Sequence, residues 1–326
     1  MNEIGTPFLA RFRNIGVLAV LFVLVIGAAA LTPQHTFIQE ANLKTLLALG
    51  PEFGIIALGV GVLMVAGEFD LSVGSVLTLC GFFFIWLVGS GVSPYIAALI
   101  TLVSGIAIGL VHGLVVVKAR IVSFIATLGF MLTWRGLAEI LTGGAVRSYN
   151  FEQHPLFTQL VTGRLGDVIP IQLLWFILFA VILFFVLQRG RFGNWIYATG
   201  DNVEAARAMA VPTGWVKLVC FMLVGFLCAF ASLLQITRTA AFTTHMGTGW
   251  ELEAVAAAVV GGTSLRGGRG TMVGIFVGAL VIMVIDNMIS QARLPYEWSY
   301  IAFGIVILGA VLLDLAVEKQ IQRATA

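Results

Sequence analysis

The chain is a succession of apolar segments, and that pattern leaves it few folds. Segments 15–31, 44–66, 74–91, 94–117, 121–142, 171–188, 214–237, 250–262, 270–289 and 296–315 follow one another with short polar breaks. Roughly 20 apolar residues cross a bilayer as a helix. Lipid offers no partner to a backbone N–H or C=O, so a spanning segment must satisfy its own, and runs of this length do so as helices. Composition agrees. Of 326 residues 60% are hydrophobic and 10% charged, with mean hydropathy +1.03, whereas soluble domains carry about 25% charged residues. The expected fold is an all-α polytopic membrane protein with about ten transmembrane helices. Segment 250–262 is too short for a full crossing and is expected to be broken or re-entrant, buried by other protein.

Arg11 and Arg13 precede the first apolar run, which contains Ala28-Ala29-Ala30, as in a secretory signal. The uncharged run of 17 residues is longer than an ordinary signal core, so it is expected to stay as the first transmembrane helix. The distribution of Lys and Arg sets the orientation. With the N-terminus inside, 12 of the 18 lie at inner ends, against five at outer ends (Lys44, Arg147, Arg164, Arg238 and Arg293), and Arg135 lies within a helix. That bias predicts N-in and C-in. The net charge of +2 gives no argument for a nucleic-acid partner. Cys80, Cys220 and Cys228 fall in apolar runs without metal spacing and read as small core residues.

One transmembrane domain over 1–326 is expected: a first half (15–142), an outer loop (143–170) carrying Arg147, Glu152, Asp167 and Pro170, and a second half (171–315). The stretches Gly67-Glu-Phe-Asp-Leu71-Ser-Val-Gly74 and Gly261-Gly-Thr-Ser-Leu265-Arg-Gly-Gly268 share Gly, Leu and Gly at one offset. They read either as an internal duplication, of the kind that places a pathway between repeats, or as two unrelated glycine turns.

The longest inner loop, 189–213, contains what looks like a water-soluble helix. Gly200 breaks the chain, Asp201 is expected to cap the helix, and Glu204 can reach back to complete a capping box. Glu204 and Arg207 can pair at i,i+3. Ala205, Ala206, Met209 and Ala210 give a small apolar face, and Pro212 ends the helix. So short a helix is not stable alone in water and must pack on something. A partner's groove and the protein's own bundle or membrane surface are equally open on these residues.

Other polar residues in apolar segments have two readings each. Arg135 and Glu139, at i,i+4, are a self-neutralising pair near the outer interface or part of a pathway. The self-neutralising reading is preferred, and Arg135 stays a pathway candidate. His112 is expected to bond a neighbouring helix. Asp286 and Asn287 bond across helices or meet a passing hydroxyl. Phe130, Trp134 and Phe82–Phe84 read as core or lipid-facing. Asp70 and Ser72, ahead of Gly74, can accept N–H groups at the start of the next helix and can also line an inner gate.

Four stretches together resemble a known family: Gly67-Glu-Phe-Asp-Leu-Ser-Val-Gly-Ser75; Phe124-Ile-Ala-Thr127-Leu-Gly129 with Arg135-Gly136 and Thr142-Gly-Gly144; Gly190-Arg-Phe-Gly193 through Gly200-Asp-Asn-Val-Glu-Ala-Ala-Arg207; and Glu251 through Gly261-Gly262 to Gly270. In this order they are similar to permease subunits of ribose-type ABC sugar importers, over about residues 44–315. The resemblance implies a pathway formed with a second permease copy or paralogue in the bacterial inner membrane. It also implies a periplasmic sugar-binding protein and a separate ATPase subunit that holds ATP and Mg. Residues 201–211 would be the coupling helix, with Gly200, Asp201, Asn202, Glu204, Ala205, Ala206, Arg207 and Met209 as coupling residues. Asp70, Ser72, Gly74, Thr127, Arg135, Gly261, Gly262 and Asn287 are the gate and pathway candidates. Four positions depart from the family's usual pattern: Glu68 for Gly, Ser123 for Pro, His112 for Asn and Ala210 for Gly.

No Lys in the chain is preceded by Gly, so there is no G-x-x-x-x-G-K-[ST] phosphate loop. The chain is expected to be a transport subunit without its own ATPase site, cofactor or metal. An ion-coupled secondary transporter of small polar solutes is the alternative, and it needs a deep acidic cluster. Glu52, Glu139 and Asp286 are separate in sequence, and Glu251 and Glu253 are placed at a mouth. The same ABC architecture carrying a nucleoside or a furanosyl signal molecule is a further alternative. No clustered His, Ser–His pair or metal-ligand spacing supports a membrane enzyme.

Overall fold

The computed structural model describes residues 6–309 and 312, apart from 167 and 296, and residues 6–15 by backbone only. Asp167, Lys319, Arg323 and the side chains of Arg11 and Arg13 lie outside the described residues, as does the last part of segment 296–315. The helices are α1 (Thr6–Leu31), α2 (Glu40–Val65), α3 (Val73–Gly89), α4 (Pro94–Lys118), α5 (Ser123–Thr142), α6 (Pro155–Thr162), α7 (Ile171–Gln188), α8 (Arg191–Asp201), α9 (Val203–Ala208), α10 (Thr213–Thr239), α11 (Trp250–Val260), α12 (Met272–Gln291) and α13 (Glu297–Gly309). Each apolar segment of the sequence falls on one of them. Among the described residues six helices are long and apolar enough to cross a membrane: α2, α4, α5, α7, α10 and α12. Residues 16–31, α3 and α13 are apolar but shorter. α11 has 11 residues, as the short segment predicted, and is enclosed by α2, α3 and α12.

α2 and α10 form the centre. α2 packs on α7, α10, α11 and α12, and α10 packs on α2, α3 and α4. α1 lies against α12, and α5 against α3 and α4. α2, α10 and α12 are largely buried, whereas α5 and α7 keep most of their apolar surface outside, where lipid or another chain must cover it. The 143–170 loop is folded rather than open. β1 (Arg147–Ser148) pairs antiparallel with β4 (Ala241–Phe242), and β2 (Arg164–Leu165) with β3 (Ile169–Pro170).

Small residues set the closest helix contacts. Lipid tails are as apolar as the helices, so association in the membrane depends on close packing. Gly105 and Gly109, four apart on α4, face α10. A Cβ at either would lie closer than 3.0 Å to the backbone of Gly225 or Phe221. Gly274 and Gly278 on α12 meet Gly261 and Ala257 in the same way. Neither helix can take a methyl group there without the backbones separating.

Gly109→Ala is therefore expected to destabilise the bundle by about 1–3 kcal/mol, the usual cost of overpacking, and to lower the thermal unfolding midpoint in detergent. Gly27→Ala in α1, where an added Cβ meets nothing within 4 Å, should leave the midpoint unchanged. Equal midpoints for the two variants would refute the close α4–α10 approach.

Candidate functional site

Three breaks in the helices meet at one end of the bundle: residues 66–72 between α2 and α3, the end of α8, and the 261–271 connection after α11. A Cβ on Gly267 would lie 2.7 Å from Gly67 Cα and 2.8 Å from Gly200 O. Gly268 N–H donates to Val65 C=O at 2.9 Å. Both membrane breaks begin alike. At α2, Glu68 N–H bonds Leu63 C=O and Gly67 N–H bonds Met64 C=O, with Gly67 at φ +82°. At α11, Thr263 bonds Ala258 and Gly262 bonds Val259, with Gly262 at φ +79°. These are Schellman closures, which need a left-handed residue after the cap. The structure thus equates Gly67 with Gly262, one residue off the sequence alignment that paired it with Gly261. Gly261 is small for another reason, its contact with Gly274 on α12.

The 66–72 backbone is irregular and buried, and α5 satisfies it. Phe69 N–H donates to Ser123 Oγ (3.0 Å) and Leu71 N–H to Thr127 Oγ1 (3.1 Å). Ser123 thus gives the loop an acceptor that a proline could not. The expected capping by Asp70 and Ser72 is corrected in detail. Asp70 Oδ1 accepts both the N–H (2.8 Å) and the hydroxyl (2.5 Å) of Ser72, and Ser72's side chain caps nothing.

Trp134 Nε1–H donates to His112 Nε2 at 2.8 Å. That nitrogen must carry a lone pair, which puts the ring proton on Nδ1, facing Asp70 Oδ2 at 3.3 Å. His112 therefore bonds a neighbouring helix, as expected. It also stacks on Phe130, centroids 4.3 Å apart, which makes Phe130 and Trp134 packing residues. Glu68 forms an ion pair with Lys217 of α10. Three of the four departures from the family pattern, Glu68, His112 and Ser123, thus have partners within the chain.

The preferred reading of Arg135 is overturned. Among the described residues it forms no ion pair with Glu139. It reaches α3 and the 243–249 segment instead, donating from Nη1 to Thr78 Oγ1 (3.0 Å), Thr244 O (2.5 Å) and Met246 O (3.2 Å). Those carbonyls lie in irregular backbone, where a guanidinium supplies donors that no helix provides. Gly74, on the same face of α3, leaves room for Gly247. Asp70, Ser72, Gly74, Thr127 and Arg135 therefore form one group around α3.

Asn287 does not join them. It sits near the other end of the bundle, exchanging two 2.9 Å hydrogen bonds with Asn42, which also accepts from Gln291 at 2.6 Å. Close by, Arg238 grips the buried Glu52 through two bonds of 2.6 and 3.0 Å. The expectation that the acidic residues stay apart is corrected there: Glu52, Glu253 and Asp286 line one cavity. These pairings join residues 186 to 249 positions apart. In the sequence only Glu52 and Asn287 lie within apolar segments; Asn42, Arg238 and Gln291 fall just beyond the ends of theirs.

The helix of the 189–213 loop is also placed differently in detail. Gly200 does not break the chain. α8 runs through it to Asp201, and a side chain at Gly200 would strike Val65 and Gly268. The cap is Asn202, in extended conformation, whose Oδ1 accepts Ala205 N–H at 3.0 Å; Asp201 caps nothing. α9 closes with Val211 N–H on Ala206 C=O and Ala210 N–H on Arg207 C=O, again a Schellman closure, with Ala210 at φ +59°. That conformation suits glycine, the residue that the family resemblance implies at this position. Glu204 and Arg207 pair at 3.0 Å as expected, and Arg207 Nε also donates to Thr213 Oγ1 of α10. The small face is divided. Ala206 is buried against the protein, whereas Asn202, Glu204, Ala205 and Met209 are exposed.

Because alanine at a left-handed position costs stability that glycine does not, Ala210→Gly is expected to raise the unfolding midpoint. Asn202→Ala should cost about 0.5–2 kcal/mol of local stability, read as faster amide exchange across 203–208, while Asp201→Ala leaves that exchange unchanged. The reverse order of the last two would restore the Asp201 cap.

Comparison with known proteins places these features in a family. A protein-family model described as branched-chain amino acid transport system / permease component matches residues 42–311. The ribose import permease protein RbsC of Escherichia coli K12 is 35% identical over 299 residues, covering 91% of this chain and 92% of that protein. RbsC of Bacillus subtilis is 34% identical over 310 residues, covering 93% and 92%. The autoinducer 2 import system permease protein LsrC of Salmonella paratyphi B is 31% identical over 318 residues, covering 97% and 90%. The chain belongs to the branched-chain amino acid transport system permease component family, as its four motifs implied.

Proposed function

We propose that the chain is the pathway-forming subunit of an ATP-driven ABC importer for a monosaccharide in the bacterial inner membrane. Two permease copies, or this chain and a paralogue, enclose the pathway, and a periplasmic binding protein delivers the sugar. About ten crossings, with both termini inside, put α8 and α9 on the cytoplasmic face. A separate ATPase subunit holds ATP and Mg and grips α9. The observation that carries this reading is the mounting of α9. It is capped at both ends and presents Asn202, Ala205 and Met209 outward, and α8 fixes it through Gly200 to the α2–α3 break. A short helix so mounted passes a rigid-body displacement into the bundle.

The ribose permeases among the relatives support a pentose as cargo. The autoinducer 2 permease keeps a furanosyl signal molecule as the second reading. An ion-coupled transporter is less well supported. Arg238 neutralises Glu52, Ser299 bonds Asp286, and no group of His, Cys, Asp or Glu among the described residues could hold a metal ion.

The test is purification from native membranes in mild detergent, followed by reconstitution in proteoliposomes with the ATPase and binding protein that accompany the chain. Ribose uptake is expected to require ATP. Ala205→Trp should cut ATPase association at least about tenfold, because the added bulk faces the partner. Glu204→Gln, in an exposed ion pair, should change it less than about fivefold. Sugar uptake on an ion gradient without ATP would overturn the importer reading, and equal losses for the two variants would overturn the docking face.

A further inference from the structure

A cavity of about 580 Å³ lies between the start of α2, the end of α10, the start of α11 and the end of α12. It is within the size range of small-molecule sites, roughly 300–1,000 Å³. Its mouth is edged by exposed residues, Thr45 among them, and its floor is the buried Glu52 with the half-buried Arg238.

The lining has three chemical features. First, it offers unused hydrogen-bonding capacity. Gln235 Oε1 and Thr36 Oγ1 are buried and have no partner among the described residues, and Arg238 spends Nε and Nη2 on Glu52. A buried acceptor without a donor is unfavourable unless water or a ligand supplies one. Second, Trp250 lines the cavity, held edge-to-face by Phe53 at 5.8 Å. It gives a flat apolar surface beside the polar groups. Third, the charges disfavour an anion. Arg238 cancels Glu52, while Glu253 and Asp286, which also line the cavity, repel anions and accept from hydroxyls.

We infer that this cavity is a binding site for a polyhydroxylated solute without negative charge, whose hydroxyls meet Gln235, Thr36, Asp286 and Arg238 while its C–H face lies on Trp250. The choice of a sugar as that solute rests on the importer reading; the need for hydroxyl donors and the exclusion of anions do not. Every residue that lines the site belongs to this one chain.

The test is saturation-transfer NMR on the full-length chain, with its co-purifying subunits, in lipid nanodiscs. The probes are D-ribose, D-glucose and D-ribose 5-phosphate. Transfer is expected to at least one free sugar and not to the phosphate. Gln235→Leu removes the orphan acceptor and Thr45→Trp blocks the mouth. Each should reduce transfer at least threefold while the thermal midpoint holds. If Thr45→Trp does not fold, Ala41→Phe replaces it at the same mouth. Absence of transfer to both sugars, a smaller reduction in either variant, or equal transfer to the phosphate overturns the site. ATP-driven uptake by the wild type with no such transfer would sink the cavity alone. Transfer without ATP-driven uptake would leave the cavity standing and sink the importer reading.

Discussion

A departure from helix at membrane depth has to be compensated by other protein, because lipid cannot hydrogen-bond an exposed amide. That constraint accounts for the parts that look least regular. The 66–72 break is sustained by two hydroxyls of α5, by Asp70 and by Schellman closure at Gly67. The 243–249 segment is sustained by the guanidinium of Arg135. Around them the helices approach closely through glycines, so breaks and supports form one connected unit. α3 is held within it on two sides, by the Asp70–His112–Trp134 chain and by Arg135.

Much of the fold was legible in the sequence for the same reason. Long apolar segments can satisfy lipid in one way only, and each became a helix. The short 250–262 segment announced a partial helix buried by others. The limits of legibility were local at first. Asp201 and Asn202 are both good caps, and a helix ends where packing lets it end. Gly200 fits so tightly against Val65 and Gly268 that α8 runs one residue further than glycine's propensity suggested.

The candidate site was legible in part. The motifs drew attention to Asp70, Thr127 and Arg135, and these do gather at α3. Arg135 was misread because i,i+4 spacing offered Glu139 as a partner, whereas the backbone carbonyls of 243–249 lie 109 or more positions away in sequence. The pairs Glu52–Arg238, Asn42–Asn287 and Glu68–Lys217 were hidden for the same reason. A single sequence shows which polar residues sit in apolar company. It does not show which of them meet. Ala210 is the opposite case: a departure from the family pattern falls on a left-handed backbone position.

The two ends of the bundle are joined by different kinds of contact. At one end Gly67, Gly200 and Gly267 bring backbone against backbone, with no side chain that could turn aside. At the other, Asn42, Asn287, Gln291, Glu52 and Arg238 meet through flexible side chains that border a cavity. Water can replace side-chain hydrogen bonds one at a time with little net change in free energy, whereas interlocked backbones shift only together. The bundle is therefore held at one end by backbone contacts that can shift only together, and at the other by side-chain contacts that can be exchanged singly.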